Sequence, residues 1–122
     1  MIKVETEMAP AAVGPYSQAI VTGNLVFASG QLGINRVGKA GADVAAQTAR
    51  AIENLSAVLT AAGSDLAHVV KTTCFLANIA DFAAFNEVYG RYFTGEPARY
   101  LIEAAALPKG SLVEIEAIAE IL

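Results

Sequence analysis

From Val113 to the end of the chain every second residue is apolar. Val113, Ile115, Ala117, Ala119 and Ile121 fall on one side of that alternation, and Leu112, Glu114, Glu116, Ile118, Glu120 and Leu122 on the other. Side chains two apart share one face of a strand. The segment therefore reads as a strand with one wholly apolar face, and such a face must be covered by another layer. The covering layer is sought upstream, in segments with helical periodicity.

Two segments qualify. Across 43–62, Val44, Thr48, Ile52, Leu55 and Leu59 recur at three or four residues, Asp43 is placed to cap the start, and Gly63 stands where a left-handed C-terminal cap is wanted. A second helix follows Asp81, its expected cap, with Phe82, Phe85, Tyr89 and Tyr92 on one stripe, and ends before Gly95 and Pro97. Aromatics at that spacing read first as core. The short runs Ala19–Val21 and Leu25–Ala28, joined by Thr22-Gly23-Asn24, predict a tight hairpin. Residues 68–78 read as a strand, and two more are expected at 98–106 and 112–121, separated by Pro108-Lys109-Gly110. The order hairpin, helix, strand, helix, strand, strand predicts an α+β domain over 1–122, a mixed sheet with both helices on one face.

The preceding strand carries its own pattern. Arg99, Leu101, Glu103 and Ala105 share one face, and Tyr100, Ile102 and Ala104 the other. Leu101, Leu112, Ile118 and Leu122 stand among the charged residues of these strands, a mixture that suits a subunit interface with a few trapped polar groups. Composition points the same way. With 55% hydrophobic residues and only 16% charged, against about 25% in typical domains, 122 residues have little interior in which to hide the surplus within one subunit.

Several functions are disfavoured. The net charge is −4 and the eight Lys and Arg residues are scattered, whereas phosphate-backbone binding needs them clustered. One cysteine, Cys74, permits no internal disulfide, and with a single histidine, His68, the usual multi-ligand zinc sites are out. Cys74 reads as a buried small hydrophobe and His68 as a surface residue between helix and strand. Residues 8–35 carry no charge, but Pro10, Gly14, Pro15, Gly23, Gly30 and Gly33 break them into pieces too short for a membrane span. Lys3, Glu5 and Glu7 interrupt any signal-peptide core. A cytoplasmic protein without nucleic-acid or membrane partners is the expectation.

GPYSQA (14–19), ASGQLG (28–33), VKTTCFLANIADFAAFNEVY (70–89), Pro97-Ala98-Arg99, LPKG and VEIEA together resemble the Rid family of reactive-intermediate deaminases, the YjgF-like proteins, almost from end to end. The resemblance implies a chorismate-mutase-like fold with the last strand interior to the sheet. It also implies a homotrimer with its sheets facing inward, three intersubunit active sites, and no metal or organic cofactor. By position it assigns the carboxylate-binding arginine to Arg99, the water-handling glutamate to Glu114 and the site tyrosine to Tyr16. Ser29, Gly30 and Asn86 are assigned to the pocket lining. Tyr100 and Leu101 depart from the family pattern, which leaves pocket shape and substrate preference open. At Leu101 the family contributes chiefly a backbone N–H, which leucine keeps.

These residue types suit hydrolysis of a C=N bond. The planar guanidinium of Arg99 can hold the carboxylate of a small 2-imino acid through two charge-assisted hydrogen bonds, and Glu114 can take the proton of an attacking water. The expected reaction converts 2-iminobutanoate or 2-iminopropanoate to the 2-keto acid and ammonia, a damage-control activity. A non-enzymatic binder of small carboxylates is the alternative, and a ribonuclease the weaker one. If the last two strands are antiparallel neighbours, Arg99 and Glu114 lie about 20 Å apart at about 3.3 Å per residue. A shared pocket then needs Arg99 from one subunit and Glu114 from another.

Overall fold

The computed structural model describes residues 1–122. Six strands, β1 (Ile2–Val4), β2 (Ala19–Thr22), β3 (Leu25–Leu32), β4 (Val69–Leu76), β5 (Ala98–Glu103) and β6 (Val113–Glu120), form one sheet in the order β1-β2-β3-β6-β4-β5. Two helices, α1 (Val44–Ala61) and α2 (Phe82–Tyr92), cover one face. The α+β expectation is borne out, as is the interior position of the last strand. β6 runs antiparallel to both neighbours, with Ala28↔Ala117 on one side and Thr72↔Ala117 on the other.

The alternation of β6 meets its purpose here. Val113, Ile115, Ala117 and Ala119 are buried against the helices, joining Ile52, Leu55 and Leu59 of α1 and Phe85 of α2 in one cluster. Glu116 and Glu120 are exposed, and Glu114 and Ile118 half-buried, on the opposite, uncovered face. Phe27, Tyr100 and Ile102 are exposed beside them.

Helix α1 begins and ends as its sequence requires. Asp43 Oδ1 accepts from the Ala46 N–H at 2.8 Å. At the other end Gly63 takes φ +92°, its N–H bonds to Thr60 O and that of Ser64 to Leu59 O, the paired closure that favours glycine. The buried amides of α1 then hold the loops. Asn54 Nδ2 donates to the carbonyls of Leu32 and Ile34, while Gln47 bonds the Gly41 carbonyl and the Leu112 N–H. These contacts fix where β3 leaves the sheet and where β6 enters it.

Two expectations are corrected, and one strand is added. Asp81 makes no side-chain cap. Helix α2 is entered through a 3-10 turn, Ile79–Asp81, so the cap falls earlier, on Asn78, whose Oδ1 accepts from Ala80 N at 2.9 Å. β5 and β6 are not antiparallel neighbours, since β5 pairs in parallel with β4 at the sheet edge. A strand, a crossing helix and a second strand pack as a parallel pair, and the β4–α2–β5 segment obeys that rule. Finally, β1, only three residues long, carries no strand pattern readable from sequence. The hairpin lies as expected, Val21↔Val26 and Thr22↔Leu25, turning on Gly23 at φ +57°.

Candidate active site

The residues singled out in the sequence fall into two groups. The first surrounds Glu114. Strand β3 shifts register against β6 between Ala28 and Gln31, a bulge at Ser29-Gly30 that bends the strand over Glu114. A Cβ on Gly30 would overlap the Glu114 carboxylate and lie 2.9 Å from its Cδ. Only glycine leaves that space. Ser29 is turned away, its Oγ donating to the Ser17 carbonyl at 2.6 Å, which ties β3 to the segment carrying Tyr16. Tyr16, Gly30 and Glu114 line a cavity of about 330 Å³ that also reaches Leu32, Ile34, Arg36 and Lys109. Burial pushes the Glu114 carboxyl above its ordinary value, and the nearby Glu116 adds to the rise. A half-buried carboxyl so tuned can exchange a proton with water nearer neutrality than a solvated one.

The second group surrounds Arg99. Its Nη1 donates to Asn86 Oδ1 at 2.7 Å. The guanidinium carbon lies 4.9 Å from the Tyr89 ring centroid, 5.7 Å from Phe82 and 6.0 Å from Phe85. No carboxylate pairs with it; the chain's ion pairs are Arg50–Glu53, His68–Asp65 and Arg91–Glu87. The cation is thus oriented by an amide and by ring faces, and its remaining N–H groups are free for an anion. Tyr89 is fixed in turn by a 2.7 Å hydrogen bond with Thr72 Oγ1. Of the aromatic stripe of α2, Phe85 and Tyr89 are core, as expected, whereas Tyr92 is half-buried and Phe82 exposed; Phe82, Phe85 and Tyr89 together also form an arginine platform. That second role was missed. The signal for it was an arginine on the strand that follows the stripe.

The face assignment of β5 needs correction. Arg99 and Leu101 point to the helix side, Leu101 packing against the core, because they pair with the buried Thr72 and Cys74 of β4. Glu114 is on the opposite face. Within one chain the two residues are separated by three positions along the strands and two strands across, about 14 Å between backbones rather than about 20 Å. The sheet itself lies between their side chains. Arg99 does not line the Glu114 cavity. So the structure joins Arg99 with Asn86, and Glu114 with Tyr16 and Gly30, and keeps the two sets apart.

Tyr100 projects from the uncovered face, 60% exposed, away from Arg99. Burial pushes the Cys74 thiol up to about 11, so it stays protonated and inert. No three His, Cys, Asp or Glu side chains are grouped to hold a metal, and no helix is long and apolar enough to cross a membrane.

The same architecture is found in TdcF from Escherichia coli, solved with bound serine. The two superpose with a TM-score of 0.95 at 38% identity, covering 100% of each chain. The fold is therefore that of the small α+β proteins of the L-PSP and YjgF type. More specifically, the chain belongs to the YjgF/RidA family, whose sequence model, described as endoribonuclease L-PSP, matches residues 6–121. Among similar proteins is the 2-iminobutanoate/2-iminopropanoate deaminase of Escherichia coli K12, 45% identical over 121 residues, 95% of this chain and 94% of that one. Another is the chloroplastic Reactive Intermediate Deaminase A of Arabidopsis thaliana, 50% identical over 119 residues, 95% of this chain and 64% of that one.

Proposed function

We propose that this protein hydrolyses 2-imino acids such as 2-iminobutanoate and 2-iminopropanoate, in sites shared between copies of the chain. One observation carries the reading. A guanidinium without an acidic partner and a glutamate with a raised pKa stand on opposite faces of one sheet. They serve one substrate only if a second chain brings its Arg99 to the first chain's Glu114. The uncovered face, with Phe27, Tyr100 and Ile102 exposed, supplies the apolar surface for a homotrimer with its sheets inward.

In this mechanism Arg99 holds the substrate carboxylate in bidentate fashion, steadied by Asn86. Glu114 accepts a proton from water as the oxygen adds to the imine carbon, forming a carbinolamine. The proton passes to nitrogen, the C–N bond breaks, and ammonia and the 2-keto acid leave. Tyr16, on the same cavity wall, donates to the substrate carboxylate or to the leaving nitrogen. Free imines hydrolyse in water unaided, so the rate enhancement asked of two positioned groups is modest.

The test couples a threonine dehydratase to semicarbazide trapping. Wild-type protein is expected to suppress trapping, and Arg99→Ala and Glu114→Gln each to abolish that effect with the assembly intact. Co-assembling the two inactive variants is expected to restore activity, because some sites then join an intact Arg99 to an intact Glu114. No rescue removes the shared site, and full activity of Arg99→Ala removes the assignment. A second reading, a carboxylate-binding regulatory trimer, is favoured by the serine bound to TdcF. It predicts keto-acid binding with trapping unchanged. The ribonuclease description of the family model predicts RNA cleavage lost in Glu114→Gln, against which stands the net charge of −4.

A further inference from the structure

The cavity beside Glu114 does not end at Tyr16 and Gly30. It continues between the segment 10–13, the turn 35–38 and the bend at Pro108-Lys109, past the apolar side chains of Val13, Ile34 and Val37. Two cations line this far part, Arg36 and Lys109. Neither has an acidic partner. Arg36 Nη1 donates to the Glu7 carbonyl at 3.1 Å, which steadies one side of the guanidinium and leaves the rest free.

The two cations come from distant parts of the chain yet line the same cavity. A Cβ placed on Gly38 would lie 3.7 Å from Lys109 Nζ, so the ammonium rests over the turn that carries Arg36. Lys109 reaches it from a left-handed backbone, φ +58° and ψ +24°, followed by Gly110 at φ +63°. A side chain adopts that backbone only where its surroundings enforce it, and such positions concentrate at ligand sites. Two cations on one cavity, neither with an acidic partner, attract an anion to it. Glu114 is not that anion, since it forms no ion pair with either cation.

We propose that Arg36 and Lys109 form a subsite for a second acidic group, so that the cavity favours 2-imino acids whose side chain ends in a carboxylate. This rests on the reading of the Glu114 cavity as the substrate site. The α-carboxylate sits on the second chain's Arg99, the C=N carbon beside Glu114, and the side chain runs past Ile34 and Val37 to the two cations. A cavity of about 330 Å³ has room for a small diacid. The reaction balances as before, water in and ammonia out, with the distal carboxylate untouched.

The test has two arms. In the first, imines of a diacid and a mono-acid are generated in situ, by an amino-acid oxidase acting on glutamate and by a dehydratase acting on threonine. The ratio of the two kcat/KM values is compared in wild type, Arg36→Gln, Lys109→Gln and the double variant. Loss of one charge-assisted hydrogen bond lowers affinity by about tenfold or more, so the diacid-to-mono-acid ratio is expected to fall about tenfold per cation removed. In the second arm, 2-oxoglutarate and 2-oxobutanoate are titrated calorimetrically into the same proteins. Tighter binding of the diacid, lost in the double variant, is expected. An unmoved ratio, an equal loss for both substrates, or equal binding of both keto acids by wild type overturns the subsite. If wild type turns over neither imine, the deaminase reading fails, and the titration still decides the subsite.

Discussion

Gly30→Ala separates the chemistry of this site from its stability. The new Cβ would lie 2.9 Å from Glu114 Cδ and 3.1 Å from Cγ. Carbon atoms pack comfortably at about 3.5–4.0 Å, so the carboxyl must retreat by about 1 Å. It can do so, because Glu114 is half-buried and its side chain is flexible. Overpacking in a closed core costs about 1–3 kcal/mol, and here the cost falls at or below the lower end. Gly30 is not among the glycines with positive φ; alanine there is unstrained and gains about 0.4–1 kcal/mol through the unfolded chain. The two effects nearly cancel, so urea unfolding is expected to show a midpoint close to wild type. Activity is expected to fall about a hundredfold, the cost of a 1 Å misplacement of a reacting group. Moved toward water, the carboxyl returns toward its ordinary pKa, and the acidic limb of the pH–rate profile shifts to lower pH. Normal kcat/KM in the trapping assay, with a normal pH profile, would refute the account of Gly30 as the residue that makes room for the carboxylate.

Glu114→Gln is expected to change how stability depends on pH. The folded pKa is raised by burial and by Glu116, so the group's contribution is fully present below the ordinary carboxylate value and is lost as pH rises through the folded value. Glutamine does not titrate. The variant should therefore match wild type in acid and melt progressively higher than it toward neutrality, and a constant difference in Tm across that range would contradict the assigned burial. Ile115→Ala removes a fully buried side chain at the centre of β6 and is expected to cost about 2–5 kcal/mol by denaturant unfolding; a loss below about 1 kcal/mol would mean that β6 is not the core strand.

How much of this was legible in the sequence depended on whether a segment's pattern has one solution. β6 has one. Apolar residues at period two can be buried only together, and the structure buries Val113, Ile115, Ala117 and Ala119 and half-buries Ile121 at the strand's end. Helix α1, with Asp43 before it and Gly63 after, was equally explicit. β5 was not. Its six residues are exposed or half-buried, so periodicity says which side chains travel together but not which side meets the helices. That choice is made by α2, whose crossover sets β5 parallel to β4 and turns Arg99 toward Asn86 and Tyr89. Strand, helix, strand in succession already implied it. The two cations Arg36 and Lys109 left no local trace, because residues seventy-three positions apart come to one cavity only through the fold, which brings Lys109 over the turn at Gly38.

The placement of β6 between β3 and β4, and of β5 at the rim, gives the two halves of the site different lifetimes. Amides in the middle of a sheet are released to solvent only when the whole domain opens, whereas a rim strand frays on its own. Glu114 is carried by the first kind of strand and Arg99 by the second. Under gentle heat or mild denaturant the anchor for a carboxylate loosens while the proton-handling group still sits in its native bed.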